Sequence, residues 1–202
     1  MKYKTEQENF WSGVFGDQYI LRNQSEKLFH SKIAMWARLL KSANNINSIR
    51  EMGCNIGLNL LAINRLQPTV SLSAIEINKT AAEEARKLDI AKIYDGSFIQ
   101  DLNLEPVDLT FTSGVLIHIH PDYLKYAYDN LVNQSKKYVL IVEYYNPEPV
   151  EVLYRGYSNK MFKRDFAGDL IEKYDLNLVD YGFIYKRDNW APQDDTNWFL
   201  LQ

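Results

Sequence analysis

The chain has 202 residues, which suits one α/β domain and is short for two. Its net charge of −3, without a basic stripe interleaved with aromatic residues, argues against a nucleic-acid-binding protein. The single cysteine, Cys54, excludes an intramolecular disulfide and a multi-cysteine metal site, and no metal is expected. No apolar run approaches 18 residues and no signal peptide is recognisable, so we expect a cytoplasmic protein without membrane contact. We expect a single domain over residues 1–202, with an arm at 1–25 and a core at 26–202.

The amino-terminal arm predicts neither a clean helix nor a clean strand, because Gly13 and Gly16 interrupt it. Its aromatic residues Phe10, Trp11 and Phe15 can either cover a ligand as a lid or pack on the core for stability. Polar residues that can contact a ligand, for instance a carboxylate, follow in the same arm. These candidates are Tyr19, Arg22 and Asn23.

Hydrophobic periodicity predicts helices that alternate with strands, followed by a closing pair of strands. The helices are predicted over 26–42, over 57–66, after Asn78, from Pro121, and from a cap at Ser158 or Asn159. The strands are predicted at 48–51, 70–75, 91–94, from Val107, at 137–144, at 176–185 and at 196–201. This order predicts a Rossmann-like α/β fold with a seven-stranded, mostly parallel sheet, one antiparallel strand, and helices on both faces.

The junction after the first strand combines an acidic residue with two glycines, Gly53 and Gly57. The glycines allow a sharp turn and a close approach to the new helix, whose free N–H groups face that point. An ordinary strand-to-helix turn has the same features. However, a carboxylate at Glu51 repels a pyrophosphate and suits a cationic amine or sulfonium. Asn55 occupies the place of the middle glycine of nucleotide-binding turns, and asparagine tolerates left-handed backbone. The charge favours S-adenosylmethionine over NAD.

Two further strands end in acidic residues at the same edge of the predicted sheet. Glu76 follows Gly57 by 19 residues, where a carboxylate can accept hydrogen bonds from ribose hydroxyls. Asp95 ends the third strand, where it can meet an adenine amine. Neighbouring residues expected to bind the same ligand are Ile77, Gly96, Ser97 and Ser113.

Four residues after the fourth and fifth strands are candidate proton acceptors. In falling order of preference they are His118, His120, Glu143 and Tyr144. An imidazole titrates near neutrality and therefore suits general base catalysis. A histidine in such a loop can equally well hydrogen-bond the backbone and fix the turn.

Three residues in the loop and helix predicted after the fifth strand are candidates for binding an anionic substrate. They are Tyr145, Arg155 and Arg164. An arginine binds a carboxylate or phosphate in bidentate fashion. The alternative is a solvated helix face.

These motifs together resemble the class I S-adenosylmethionine-dependent methyltransferases over nearly the whole chain. More narrowly, the chain resembles the pseudaminic acid biosynthesis-associated methylase family. The resemblance rests on Phe10-Trp-x-Gly-x-Phe-Gly-Asp-x-Tyr19 with Arg22-Asn23, Glu51-Met-Gly-Cys-Asn-Ile-Gly-Leu-Asn-Leu60, Ile75-Glu-Ile-Asn78, Ser113-Gly-Val-Leu-Ile-His-Ile119, Tyr154-Arg-Gly-Tyr-Ser158, Phe162-Lys-Arg-Asp-Phe-Ala-Gly168, Pro192-Gln-Asp-Asp195 and Asn197-Trp-Phe-Leu-Leu201. Asn55 departs from the general glycine motif but matches this family's version of it.

The resemblance implies methyl transfer from S-adenosylmethionine to an oxygen or nitrogen of a small sugar-derived acceptor, with S-adenosylhomocysteine as product. It implies a context in nonulosonic-acid or surface-glycan biosynthesis. Two other functions stay open. One is a non-catalytic module that binds S-adenosylmethionine and regulates or scaffolds a glycan pathway. The other is a nicotinamide oxidoreductase, against which Glu51 and the missing middle glycine count. The sequence does not specify an oligomeric state.

Overall fold

A seven-stranded sheet forms the centre of the fold in the computed structural model, which describes residues 3–23 and 25–202. The strands are β1 (Ser48–Met52), β2 (Ser71–Glu76), β3 (Lys92–Asp95), β4 (Val107–Ser113), β5 (Ser135–Glu143), β6 (Val150–Glu151), β7 (Phe162–Lys163), β8 (Leu178–Ile184) and β9 (Thr196–Leu201). The large sheet has the order β3-β2-β1-β4-β5-β9-β8, and β6 pairs with β7 in a separate hairpin.

One strand of the large sheet runs against the others, as predicted. The pairs β3-β2, β2-β1, β1-β4 and β4-β5 are parallel, whereas β9 is antiparallel to both β5 and β8. The chain crosses over between β3 and β4, which returns it to the other side of β1. In such a sheet, ligands bind beyond the carboxyl ends of the strands beside this switch in strand order.

Helices cover both faces of the sheet and bury two apolar clusters. They are α1 (Glu6–Ser12), α2 (Val14–Ile20), α3 (Glu26–Leu39), α4 (Leu58–Leu66), α5 (Lys79–Arg86), α6 (Leu124–Asn133) and α7 (Phe166–Tyr174). Residues of α3, α4 and α5 pack on one face, and residues of α6 and α7 pack on the other. None of the helices in residues 3–23 and 25–202 has the length and apolarity needed to cross a bilayer.

The segment before α7 differs from the prediction of a helix that begins at Ser158 or Asn159. Asn159 has a φ of 56°, and Phe162 pairs with Glu151 in the β6-β7 hairpin. The helix begins only at Phe166, because Asp165 is its N-cap and its carboxylate accepts a hydrogen bond from the Gly168 N–H at 2.8 Å. Phe162 is therefore a buried residue of strand β7 and not of the predicted helix.

The amino-terminal arm is more helical than its glycines predicted. Gly13 ends α1 and begins α2, so the break lies between two short helices. Gly16 lies within α2, where a side chain would collide with the chain itself: an added Cβ would lie 1.8 Å from the Trp11 carbonyl oxygen. The arm thus consists of two helices packed tightly against each other. The side chain of Asn23, a predicted ligand contact, lies outside the described residues.

Asn78 joins this arm to the end of β2. Its Nδ2 donates to the Trp11 carbonyl at 3.2 Å and to the Asp17 carboxylate at 2.9 Å. Its Oδ1 accepts from the Ala81 N–H at 2.9 Å and so caps α5. The Asn78 side chain therefore caps α5 with its oxygen and binds the arm with its nitrogen.

The variant Asn78→Ser tests this division of roles. A serine oxygen can still cap α5, but the two donor bonds to the arm are lost. We expect faster backbone hydrogen exchange in α1 and α2, measured by mass spectrometry, with little change in the free energy of unfolding. The variant Asn78→Ala should show the same arm effect and an additional loss of about 1 kcal/mol from the missing cap. Unchanged exchange in the arm of the serine variant would contradict the assignment.

Candidate functional site

Three adjoining cavities lie along the carboxyl ends of β1, β2 and β4. We call them the large cavity, of about 490 Å³, the middle cavity, of about 130 Å³, and the inner cavity, of about 80 Å³. Gly53 lines all three of them. Together they form a row that crosses the switch in strand order, where a Rossmann-like sheet binds its ligand.

The large cavity is the most polar of the three. Among its lining residues are Tyr19, Arg22, Lys32, Glu51, Asn55, Asn59, Ser113, Arg155, Lys186 and Asp194. The middle cavity is lined in part by Trp11, Tyr19, Glu76, Ile77, Ser113 and His118. The inner cavity is mainly apolar and includes Trp11, Ile77, Gly96, Ser97, Phe98 and His118. Most of the predicted ligand contacts therefore meet in one row.

The glycine turn has the left-handed backbone that its sequence predicts. Gly53 and Gly57 have φ angles of 83° and 81°, and Asn55 has 49°. A Cβ on Gly53 would lie 2.7 Å from a methyl carbon of Val115, which follows β4. Glycine is thus required at this position both for the backbone conformation and for the close contact between two strand ends.

Glu51 is buried at the carboxyl end of β1 with one oxygen unused. Its Oε1 accepts a hydrogen bond from Asn59 Nδ2 at 2.6 Å, while its buried Oε2 has no hydrogen-bond partner among residues 3–23 and 25–202. Burial raises the pKa of this carboxyl to about 8. Without a cationic partner this carboxyl is therefore largely protonated at neutral pH, and a cation that enters the large cavity stabilises its carboxylate form.

Asn59 and Lys32 are two site residues that the sequence did not point to. Lys32 Nζ donates to Asn59 Oδ1 at 2.7 Å, and the Trp36 indole N–H donates to the same oxygen at 3.1 Å. Burial lowers the pKa of the Lys32 ammonium. The available signal is a polar residue, Asn59, on the buried face of a helix that is otherwise apolar there.

Glu76 is held by two backbone amides. Its Oε2 accepts from the Asn55 N–H at 2.7 Å, and its Oε1 accepts from the Asn78 N–H at 2.8 Å. Burial raises the pKa of this carboxyl, and these amides oppose the rise. Each carboxylate oxygen can accept a second hydrogen bond, so Glu76 can still bind a hydroxyl in the middle cavity.

The third strand end does not bring its acidic residue into the row of cavities. Asp95 is half exposed and forms an ion pair of 2.6 Å with Arg86 at the end of α5. Within the described part of the chain, Asp95 does not line the large, middle or inner cavity. Gly96 and Ser97, which follow it, do line the inner cavity.

His118 lines the middle and inner cavities in a defined protonation state. Its Nδ1 lies 2.7 Å from the Lys160 carbonyl oxygen, which can only accept, so Nδ1 carries the proton. This leaves the Nε2 lone pair as an acceptor. The ring also packs against Trp11 and Tyr154, at centroid distances of 4.5 and 4.7 Å. Burial lowers its pKa to about 4, so the imidazole is neutral at physiological pH.

The other three candidate proton acceptors have structural partners. His120 accepts from the Asp122 N–H at 3.3 Å and caps a short 3-10 turn. Glu143 Oε1 accepts from two backbone N–H groups of the loop after β4, both at 2.9 Å, and burial raises its pKa to about 7. Burial and the Asp194 carboxylate raise the pKa of Tyr144. In the described residues, none of the three lines the row of cavities.

Only one of the three predicted substrate contacts lines the large cavity. Arg155 lines it, with a φ of 52° and its guanidinium 5.6 Å from the centroid of the Tyr154 ring. Arg164 instead forms an ion pair of 3.2 Å with Asp169, and Tyr145 is an exposed residue near Phe199. Tyr145 and Arg164 both line a separate small cavity.

Comparison with protein families and with curated proteins finds no match to this chain. Many solved structures have the same fold. Magnesium protoporphyrin IX methyltransferase (ChlM) from Synechocystis PCC 6803 with bound SAH gives a TM-score of 0.74 at 10% identity, covering 98% of this chain and 99% of that one. The N-methyltransferase NodS from Bradyrhizobium japonicum WM9 gives 0.66 at 16% identity, covering 88% and 97%.

A third structure, mitomycin 7-O-methyltransferase MmcR, gives a TM-score of 0.71 at 14% identity and covers 98% of this chain. The chain spans 60% of the length of MmcR. The chain has the Rossmann-like methyltransferase fold. Because the identities are only 10–16%, the likeness extends to the fold alone.

The buried neutral state of His118 can be tested by its titration. We expect the His118 ring resonance, identified by its loss in His118→Asn, to stay constant between pH 5 and 8 in carbon-edited NMR spectra, because its pKa is lowered to about 4. A titration midpoint near 6.5 would contradict the assignment.

The same pKa shift has a consequence for stability. Between about pH 4 and 6.5 the unfolded chain binds more protons at this histidine than the folded one. The contribution of His118 is therefore complete above pH 6.5 and is lost as the pH falls towards 4. His118→Asn should lose less stability than the wild type over this range in chemical denaturation experiments.

Proposed function

We propose that this protein is an S-adenosylmethionine-dependent methyltransferase that acts on an oxygen or nitrogen of a small sugar-derived acceptor. The observation that carries the proposal is Glu51, a buried carboxylate with an unused oxygen, beside a left-handed glycine turn. A second buried carboxylate, Glu76, ends the next strand. The two follow each other along one row of cavities in a methyltransferase fold.

The residues of the row fit the parts of this cofactor in order. Glu51 in the large cavity suits the α-ammonium, and Glu76 in the middle cavity suits the ribose hydroxyls. The inner cavity, with Gly96, Ser97 and the ring of Phe98, suits the adenine. Asp95 has no part in this arrangement, because it is paired outside the row.

Other residues of the row support these contacts. Gly53 and Asn55 line the row in left-handed backbone conformations, so we assign them to the cofactor site. Gly57, which lines none of the three cavities in the described residues, completes the turn and packs close to Leu88 and Ala85. Tyr19, Arg22 and Ser113 line the large cavity, and Ile77 lines the middle and inner ones, so we include these residues in the cofactor site.

Bound S-adenosylmethionine supplies a methyl group that its sulfonium already activates towards nucleophiles. The chain must therefore orient the acceptor and remove one proton. Of the four predicted proton acceptors we assign this role to His118, which lines the middle cavity where Ser113 joins it to the large one; its Nε2 accepts while its Nδ1 proton is held by the Lys160 carbonyl. Glu143 is a positioning residue, since it hydrogen-bonds the backbone of the loop that carries His118.

The charges of the large cavity favour an acidic acceptor. Its lining includes four basic side chains and two acidic ones. The basic residues are Arg22, Lys32, Arg155 and Lys186, and the acidic residues are Glu51 and Asp194. Lys186 already pairs with Asp195 at 3.2 Å, so Arg155 is the basic side chain that we assign to a carboxylate or phosphate of the acceptor. A sugar acid of the nonulosonic type has this chemistry, and we place the reaction in the cytoplasm as part of this proposal.

Calorimetry with three ligands tests the cofactor assignment. We expect micromolar binding of S-adenosylmethionine and S-adenosylhomocysteine, and no binding of NAD. Glu76→Gln should weaken both by about 10- to 100-fold, because hydrogen bonds to a charged group contribute about 1.5 to 3 kcal/mol. The matched control is Glu84→Gln, a surface residue paired with Lys87, which should bind normally. Binding of NAD alone would contradict the proposal.

Turnover with a panel of sugar phosphates and sugar acids tests the acceptor class. We expect release of S-adenosylhomocysteine with acidic sugars and not with neutral ones. His118→Asn should lower kcat by about 10²-fold, the lower end of the usual contribution of a general base, because burial makes this imidazole a weaker base. Arg155→Met should raise KM for the acceptor, while the exposed Arg65→Met should not. Tight cofactor binding without turnover on any acceptor would favour the non-catalytic alternative.

A further inference from the structure

An amide side chain separates two opposite charges at the β1 end of the large cavity. Asn59 donates from Nδ2 to Glu51 at 2.6 Å and accepts at Oδ1 from Lys32 Nζ at 2.7 Å. The Trp36 indole N–H donates to the same Oδ1 at 3.1 Å. Two donors on one side and an acceptor on the other fix the orientation of the amide. The Glu51 carboxylate and the Lys32 ammonium thus both line the large cavity, one on each side of the Asn59 amide.

Glu51 and Lys32 attract each other across Asn59, but no salt bridge within 4 Å joins them in the part of the chain that the structure describes. Glu51 Oε2 has no hydrogen-bond partner there, and burial disfavours the charged form of both groups. Burial of an unpaired charge is costly, and the cost is removed when a ligand supplies the opposite charge. The pair is therefore complementary to a ligand that carries an ammonium and a carboxylate side by side.

An α-amino acid is such a ligand, because its two charged groups hang from a single carbon atom. We propose that Lys32 binds the α-carboxylate of the methionine part of the cofactor while Glu51 binds its α-ammonium, with Asn59 positioning both. The inference rests on the proposed function, since it assigns the charges of the same cofactor. It adds Lys32 and Asn59, which the sequence did not point to.

Lys32 is a better partner for this carboxylate than Arg22, the residue that the sequence favours. Arg22 is exposed, and its guanidinium packs near the rings of Phe15 and Tyr19. An exposed ion pair contributes little, because water screens it. Lys32 is partly buried and is oriented by a hydrogen bond of 2.7 Å.

Calorimetry with S-adenosylhomocysteine and two of its analogues tests the assignment charge by charge. One analogue lacks the α-carboxylate, and the other lacks the α-amino group. Lys32→Met should weaken S-adenosylhomocysteine by about 10- to 100-fold and leave the decarboxylated analogue unaffected. Glu51→Gln should weaken S-adenosylhomocysteine and leave the deaminated analogue unaffected. The matched control is Lys41→Met, whose exposed side chain pairs with Asp180 and which should bind all three ligands normally.

Two further measurements separate binding from folding. Lys32→Arg keeps the charge and should retain more affinity for S-adenosylhomocysteine than Lys32→Met, at equal thermal stability. Wild-type protein needs no substitution: it should bind the decarboxylated analogue about 10- to 100-fold more weakly than S-adenosylhomocysteine.

The outcomes distinguish this inference from the proposed function. If wild-type protein fails to bind S-adenosylhomocysteine, both are overturned. If it binds but Lys32→Met weakens all three ligands equally, or if the loss that depends on the carboxylate appears in Arg22→Met instead, only the Lys32 assignment is overturned. The methyltransferase proposal would stand in that case.

Discussion

The contact between Gly53 and Val115 is the constraint on which the site depends. It joins the turn after β1 to the loop after β4 so closely that a Cβ on Gly53 would lie 2.7 Å from a Val115 methyl carbon. The loop is held there from a third strand, since Glu143 at the end of β5 accepts from the Val115 N–H at 2.9 Å. These two contacts hold the carboxyl ends of β1, β4 and β5 together, and the row of cavities passes the point where they meet.

Three buried carboxylates stand at strand ends, and their partners distinguish their roles. Glu143 uses one oxygen for two backbone N–H groups of a loop, which is a structural role. Glu76 accepts one backbone N–H on each oxygen and keeps capacity for a ligand. Glu51 and Glu143 each have one oxygen without a hydrogen-bond partner within the described residues, but Glu51 accepts only a single side-chain amide and so receives the fewest hydrogen bonds of the three. Three glutamates at similar positions at strand ends therefore have different roles, which only their hydrogen-bond partners reveal.

Features that depend on periodicity and topology are predictable from the sequence, whereas a role that depends on a partner from another element is not. The order of strands places Glu51 and Glu76 at one edge, and the glycine spacing predicts the left-handed turn. Asp95 has the same sequence signal, yet Arg86 from α5 pairs with it and keeps it out of the row. Asn59 carries only the signal of a polar residue on the apolar face of α4, and Lys32 carries none, because their proximity arises only when α3 packs on α4.

The amino-terminal arm is better understood as a wall of the site than as a cover added to it. The Lys160 carbonyl fixes the tautomer of His118. The same segment binds the arm, because Lys160 forms an ion pair with Glu6 and the Asn159 carbonyl accepts a hydrogen bond from the Gln7 side chain at 2.8 Å. Trp11 of the arm packs on the imidazole and lines the middle and inner cavities. Because one segment both orients His118 and anchors the arm, packing of the arm against this segment and orientation of the imidazole depend on the same contacts.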